Sequence, residues 1–188
     1  MPFFYAPLNI IDGYILFEND PSFQIGVIEL INSLLNFFIL FNIFMTITSV
    51  FYDNSFKGHV SSLNNPECSS RVENILELIK KEDFKNISIF EPDEIDIKLI
   101  NEAHAKDFVA ETLLRFPNNE EIVYLDQETP VSKESKLATL KAAGSGIDAA
   151  DMIMKGHAKN SFCIVRPPGH HACYDRSMGF CVYNLSLI

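Results

Sequence analysis

Two adjacent prolines, Pro167 and Pro168, set the strongest constraint on this chain. They follow a β-branched and aromatic run, Phe162 to Val165, that reads as a buried strand. They end it abruptly, because proline has a fixed φ and no backbone donor. The residues after Gly169 therefore sit on a stiff loop, and the first two are His170 and His171. Successive strand residues point to opposite faces, whereas a Pro-Pro-Gly turn can aim both imidazoles into one cavity. Paired imidazoles suit acid/base work when their surroundings push their pKa values apart, so that one accepts a proton while the other stays charged.

Upstream, β-type and helical patterns alternate. Ser49 to Tyr52 reads as a first strand, closed by Asp53-Asn54-Ser55. A helix opens at Ser70, where Ser70 and Glu73 have capping-box spacing and Val72, Ile75, Leu76 and Ile79 form an apolar stripe. Ile87 to Phe90 is a second strand, and a helix begins at Asp93 or Glu94 and ends at His104. Lys106 to Leu114 is another helix, followed by the brief apolar run Ile122 to Leu125. A long helix spans Ser132 to Met154, and its small residues Ala142, Ala143, Gly144 and Gly146 imply close approach to the neighbouring sheet. Strands separated by helices give an α/β fold with a mostly parallel sheet, in which loops after strand C-termini collect the active site.

Length and composition agree with a globular domain: 188 residues, 47% hydrophobic and 21% charged. A net charge of -10 excludes a basic stripe that would grip nucleic acid directly. Cys68, Cys163, Cys173 and Cys181 are few and three crowd the histidine loop, so they read as reduced thiols and not a disulfide framework. No Cys-x2-Cys pair supports a structural zinc site, and His59 and His104 read as structural or surface histidines. Cys181 is expected to line the pocket and Cys163 to lie in the core.

The head of the chain differs. Five acidic side chains (Asp12, Glu18, Asp20, Glu29, Asp53) and no Lys or Arg precede Lys57. Leu30 to Phe51 is free of charge and long enough to span a bilayer, although Asn32, Asn36 and Asn42 weaken it. Residues 1–48 are accordingly an extension with three readings open: a membrane segment at 30–51, a buried apolar segment, or sequence foreign to the natural domain. A true span would leave the C-terminal part cytosolic.

The run Arg166-Pro167-Pro168-Gly169-His170-His171-Ala172, with Met178-Gly179-Phe180-Cys181 and Asn184, resembles the zinc-dependent histone deacetylases, most closely the class II type. Tyr52-Asp53, His59, Pro66-Glu67 and Arg71 resemble the family's opening segment. Ala103-His104 with Asp107-Phe108-Val109 and the Ser135 to Ala150 helix add to the match. The resemblance spans residues 49–184 and leaves 185–188 as a tail. It implies a three-layer αβα fold of the arginase/deacetylase type and hydrolysis of an acetyl-lysine amide by metal-bound water. His170 and His171 match the general base and its electrostatic or acid partner. Gly179 matches the backbone position that meets the substrate amide, Phe180 a wall of the tunnel holding the lysine stem, and Cys181 the pocket beside them.

The family's zinc ligands, an Asp-x-His pair and a later Asp, lie downstream of the match, as do its glycine-rich loop and catalytic tyrosine. No residue of this chain is assigned to the metal, although Zn2+ is expected for the complete domain. The expectation is thus the N-terminal part of a lysine deacetylase, inactive by itself, acting when complete on acetylated histone tails or other acetyl-lysine proteins in nucleus or cytoplasm. Two alternatives stand: a naturally truncated, non-catalytic protein that binds partners or a membrane through 30–51, and an acetylpolyamine deacetylase.

Overall fold

The computed structural model describes residues 9–11, 14–16, 31–39, 47–60, 65–82 and 84–188. Two compact units divide the chain, Met1–Ile43 and Phe44–Ile188. In the first, β1 (Asn9–Ile11) and β2 (Tyr14–Leu16) form an antiparallel hairpin with Ile10 opposite Ile15, and residues 31–39 form helix α1. Apolar side chains of α1, Phe37 and Phe38 among them, are exposed.

The second unit is built on a three-stranded parallel sheet. Strand β3 (Thr48–Phe51) lies at its centre, flanked by β4 (Ile87–Phe90) and β7 (Asn160–Cys163). Val50 faces Ile89 on one side and Phe162 on the other. Parallel neighbours need crossovers, and helices supply them. Short α2 (Ser55–Gly58) and α3 (Ser69–Lys81) follow β3. Then α4 (Ile97–Ala103), α5 (Lys106–Arg115), the β5–β6 pair (Val123–Tyr124, Pro130–Val131) and α6 (Ser135–Met154) lead from β4 to β7.

Helix α6 separates two apolar clusters. Leu140 and Ala143 pack with Ile100, Val109, Val131, Val182 and Tyr183, while Ala138 and Ala142 pack with Val50, Phe56, Val72, Leu76 and Ile164. At Gly144 a Cβ would fall 1.9 Å from the Asp93 carbonyl oxygen, and the Ile95 N–H donates to Leu140 O at 3.2 Å. At Gly144 the close approach is thus to the segment after β4, while Ala142 packs with Val50 of β3 and Ser145 O accepts from the Cys163 thiol of β7 at 3.4 Å.

Several boundaries move for identifiable reasons. Helix α3 starts at Ser69 with Cys68 as N-cap and no side-chain capping bond, so the Ser70–Glu73 box does not form. The chain enters that helix directly from Glu67, which is tethered from outside. Helix α4 starts at Ile97 because Asp96 caps it, accepting from Lys98 N at 2.9 Å, while Asp93 N donates to Asp148 Oδ2. Helix α6 starts at Ser135 because residues 132–135 close their own turn, Ser135 N on Ser132 O and Ser132 N on Ser135 Oγ. The uncharged run 30–51 is not one helix: its last four residues are β3, hydrogen-bonded on both sides within the sheet. Among the described residues no helix is long and apolar enough to cross a membrane, so the spanning reading of 30–51 finds no support. Residues 30 and 40–46 of that run lie outside the described residues.

Candidate active site

All three parallel strands end on the same side of the sheet, and the segment leaving β7 carries the histidines. Ile164 N still reaches Phe51 O at 2.9 Å, and the chain then turns into the loop through a cis Arg166–Pro167 bond. Four fixings hold that loop. At its root Arg166, fully buried, donates from Nε to Glu67 Oε1 at 2.6 Å, from Nη2 to Glu67 Oε2 at 3.0 Å and from Nη1 to Phe56 O at 2.9 Å. Gly169 lies so close to Leu185 that a Cβ would stand 2.0 Å from its Cγ. Asn184 Nδ2 donates to Ala172 O at 2.8 Å, and Asn184 N to His104 Nε2 at 2.9 Å. His104 thereby accepts at Nε2, which places its proton on Nδ1, directed at Tyr174 O 3.2 Å away.

The loop brings the predicted pair together. The ring centroids of His170 and His171 are 4.1 Å apart with planes inclined at 51°, and both side chains are exposed. Against His171 stands a tight turn, Met178 to Cys181, closed by reciprocal backbone bonds of 3.1 and 3.0 Å. Its central residues both have positive φ, Gly179 at 57° and Phe180 at 68°, the signature of a two-residue hairpin turn. A Cβ on Gly179 would lie 3.2 Å from the His171 ring, so the absence of a side chain there lets imidazole and backbone meet. Phe180, half-buried, occupies a left-handed conformation that costs a non-glycine residue about 1–2 kcal/mol.

Cys181, expected at the pocket wall, is fully buried beneath the loop. Its sulfur takes the His171 N–H at 3.4 Å and points its own hydrogen at Gly179 O, also 3.4 Å away. Burial raises its pKa, so it packs as a neutral thiol. Cys163, expected in the core, is only half-buried at the outer strand β7. All four cysteines are free.

The remaining loop histidine, His59, is 4% exposed and bonds Ser135 Oγ through Nδ1 at 2.8 Å. Burial, followed by the charge of Arg166, lowers its pKa to about 3 and keeps it neutral. A cavity of about 400 Å³ beside it is lined by Lys57, His59, Ser69, Glu120, Ser132 and Glu134, and not by His170 or His171. Sequence reasoning missed the Glu67–Arg166 pair as a unit. Both residues belong to recognisable motifs, but nothing local tells that side chains 99 positions apart share one buried fork.

Among the described residues no three His, Cys, Asp or Glu side chains converge as metal ligands would. The donor set therefore does not fit the zinc centre that the resemblance implies. What the arrangement offers is proton transfer: two imidazoles side by side beside a backbone turn and an aromatic ring.

Known proteins resemble the chain in sequence and in fold. The histone deacetylase domain matches residues 65–188, through the chain's last residue. A "Probable deacetylase" of Archaeoglobus fulgidus is 28% identical over 145 residues, covering 73% of this chain and 38% of that protein. "Histone deacetylase clr3" of Schizosaccharomyces pombe is 28% identical over 138 residues, covering 64% of this chain and 19% of that protein. The crystal structure of the HDA15 HD domain superposes with a TM-score of 0.68 at 27% identity, covering 76% of this chain and 42% of that one. The chain thus spans well under half the length of these relatives, and its α/β fold is of the arginase/deacetylase kind. On sequence and on fold together, it belongs to the histone deacetylase domain family.

Proposed function

We propose that these residues are the proton-transfer half of a lysine deacetylase, a hydrolase that converts an acetyl-lysine amide and water into acetate and the free amine. The carrying observation is the His170–His171 pair, rings 4.1 Å apart on a loop fixed at four points. One imidazole takes a proton from the attacking water as its oxygen bonds the carbonyl carbon. The other gives a proton to the lysine nitrogen as the C–N bond breaks. Gly179 offers a side-chain-free backbone to the substrate amide, Phe180 an apolar wall to the four lysine methylenes, and Cys181 the floor under both.

Zinc, on which the family generally depends, would supply Lewis-acid chemistry, and no residue of this chain is assigned to hold it. The net charge of -10 favours basic peptides such as acetylated histone tails over nucleic acid, and nuclear or cytoplasmic residence goes with such substrates. The test is acetate release from acetyl-lysine peptides by the complete protein with zinc supplied, beside His170→Asn and His171→Asn. Hydrolysis that both variants abolish supports the reading. A folded complete protein that binds the peptides without hydrolysing them would assign it to a non-catalytic binding role.

A further inference from the structure

We propose that Glu67 and Arg166 are positioning residues that set the direction of the histidine loop, an inference that rests on the acid/base roles just given to His170 and His171. Arg166 is the hinge residue between β7 and the loop, and its guanidinium is held by three directed bonds from two other segments. The Glu67 carboxylate enters from the approach to α3, and Phe56 O from α2. Arg71 Nη1 adds a longer contact to Glu67 Oε1 at 3.4 Å, and neutral His59 stands 3.9 Å from Oε2 while its other nitrogen is tied to Ser135 at the start of α6. Helix α6 thereby reaches the Glu67 carboxylate through His59, and α2 and the approach to α3 meet at Arg166.

From that side chain to His170 the path runs only through Pro167, Pro168 and Gly169. Both prolines have fixed φ, and Gly169 is jammed against Leu185. The orientation of Arg166 is passed on to the imidazoles with little torsional slack. Stability does not account for the choice of residues, because a buried ion pair can be exchanged for packed apolar side chains of similar volume without loss of folding. What an apolar pair lacks is the planar, two-pronged geometry that fixes direction.

The test separates direction from folding in the full chain, labelled with 15N and 13C. The readout is the nuclear Overhauser contact between the His171 ring and Gly179 Hα, together with the ring shifts of both histidines, assigned with His170→Asn and His171→Asn. The double variant Glu67→Leu with Arg166→Met is expected to melt within a few degrees of wild type. It is also expected to lose the His171–Gly179 contact and to bring the ring signals to those of a mobile exposed histidine. Arg166→Lys, which keeps the charge and loses the fork, is expected to show an intermediate loss. Wild-type ring signals in either folded variant overturn the proposal. Failure of both variants to fold, while Asp53→Asn at the separate Lys141–Asp53 pair folds, also overturns it by assigning the pair to the core alone. Hydrolysis is scored separately. A complete protein without deacetylase activity removes the proposed function, and the ring contacts still report whether the clamp directs the loop.

Discussion

Two pairs of histidines are treated in opposite ways by the same fold. His59 and His104 are 4% and 1% exposed; His104 has both ring nitrogens hydrogen-bonded, and His59 is tied to Ser135 Oγ through Nδ1. His170 and His171 are exposed, and their rings face one another. Burial against fixed partners turns imidazole into a structural strut. Exposure beside a second imidazole leaves the ring accessible from solvent. Histidine content is thus uninformative about chemistry until the partners of each ring are known.

The contrast can be broken in several ways, the largest on activity. Under the proposed function, His170→Asn or His171→Asn in the complete protein is expected to lower kcat by about 10²–10⁴-fold. Unfolding free energy should change by less than about 0.5 kcal/mol, as for a surface site. A large loss of stability in urea titrations would erase the distinction between the pairs. Next in size is the acid response of His59. Its folded pKa of about 3 lies below the ordinary histidine value of 6.5, so the unfolded chain binds the extra proton between those values. Its contribution is therefore fully present above pH 6.5 and is lost as pH falls towards 3, at no more than about 1.4 kcal/mol per pH unit. The difference in urea midpoints between wild type and His59→Asn at pH 7, 5.5 and 4.5 measures it, and a constant difference would contradict the neutral strut.

His104→Ala orphans the Asn184 N–H and empties a packed site between Phe108 and Tyr183, for an expected loss of about 3 kcal/mol in the same titration. A loss below about 1 kcal/mol would place His104 with the exposed pair. The smallest effect is expected for Gly179→Ala. Strain at φ 57° costs about 1–2 kcal/mol, and the His171 resonances should move because a new methyl meets that ring. Unmoved resonances would show that ring and turn are independent.

Much of this was legible in the sequence because it is local. The strand Ile87 to Phe90, the end of α4 at His104, the end of the long helix at Met154 and the Pro-Pro-Gly loop all follow from neighbouring residues. What escaped depends on distant partners. The Ser70–Glu73 spacing satisfied a local rule, yet the helix entry is set by Glu67 and its bond to Arg166. The burial of Cys181 depends on the turn that folds over it, where its sulfur meets the His171 N–H and Gly179 O. The uncharged run ending in β3 has the composition of a membrane span. A strand buried at the centre of a parallel sheet needs the same apolar composition, and composition alone does not separate the two.

The Met178 to Cys181 turn has a wider consequence. At position 180 the backbone alone would select glycine or asparagine, since either relaxes into a left-handed φ more cheaply than phenylalanine does. Phenylalanine at that corner makes the folded chain slightly worse as a folded chain. Under the proposed function, what offsets that cost lies outside the fold, in the lysine stem that passes across the ring. A Phe180→Gly protein that folds more stably and works less well would display that trade directly.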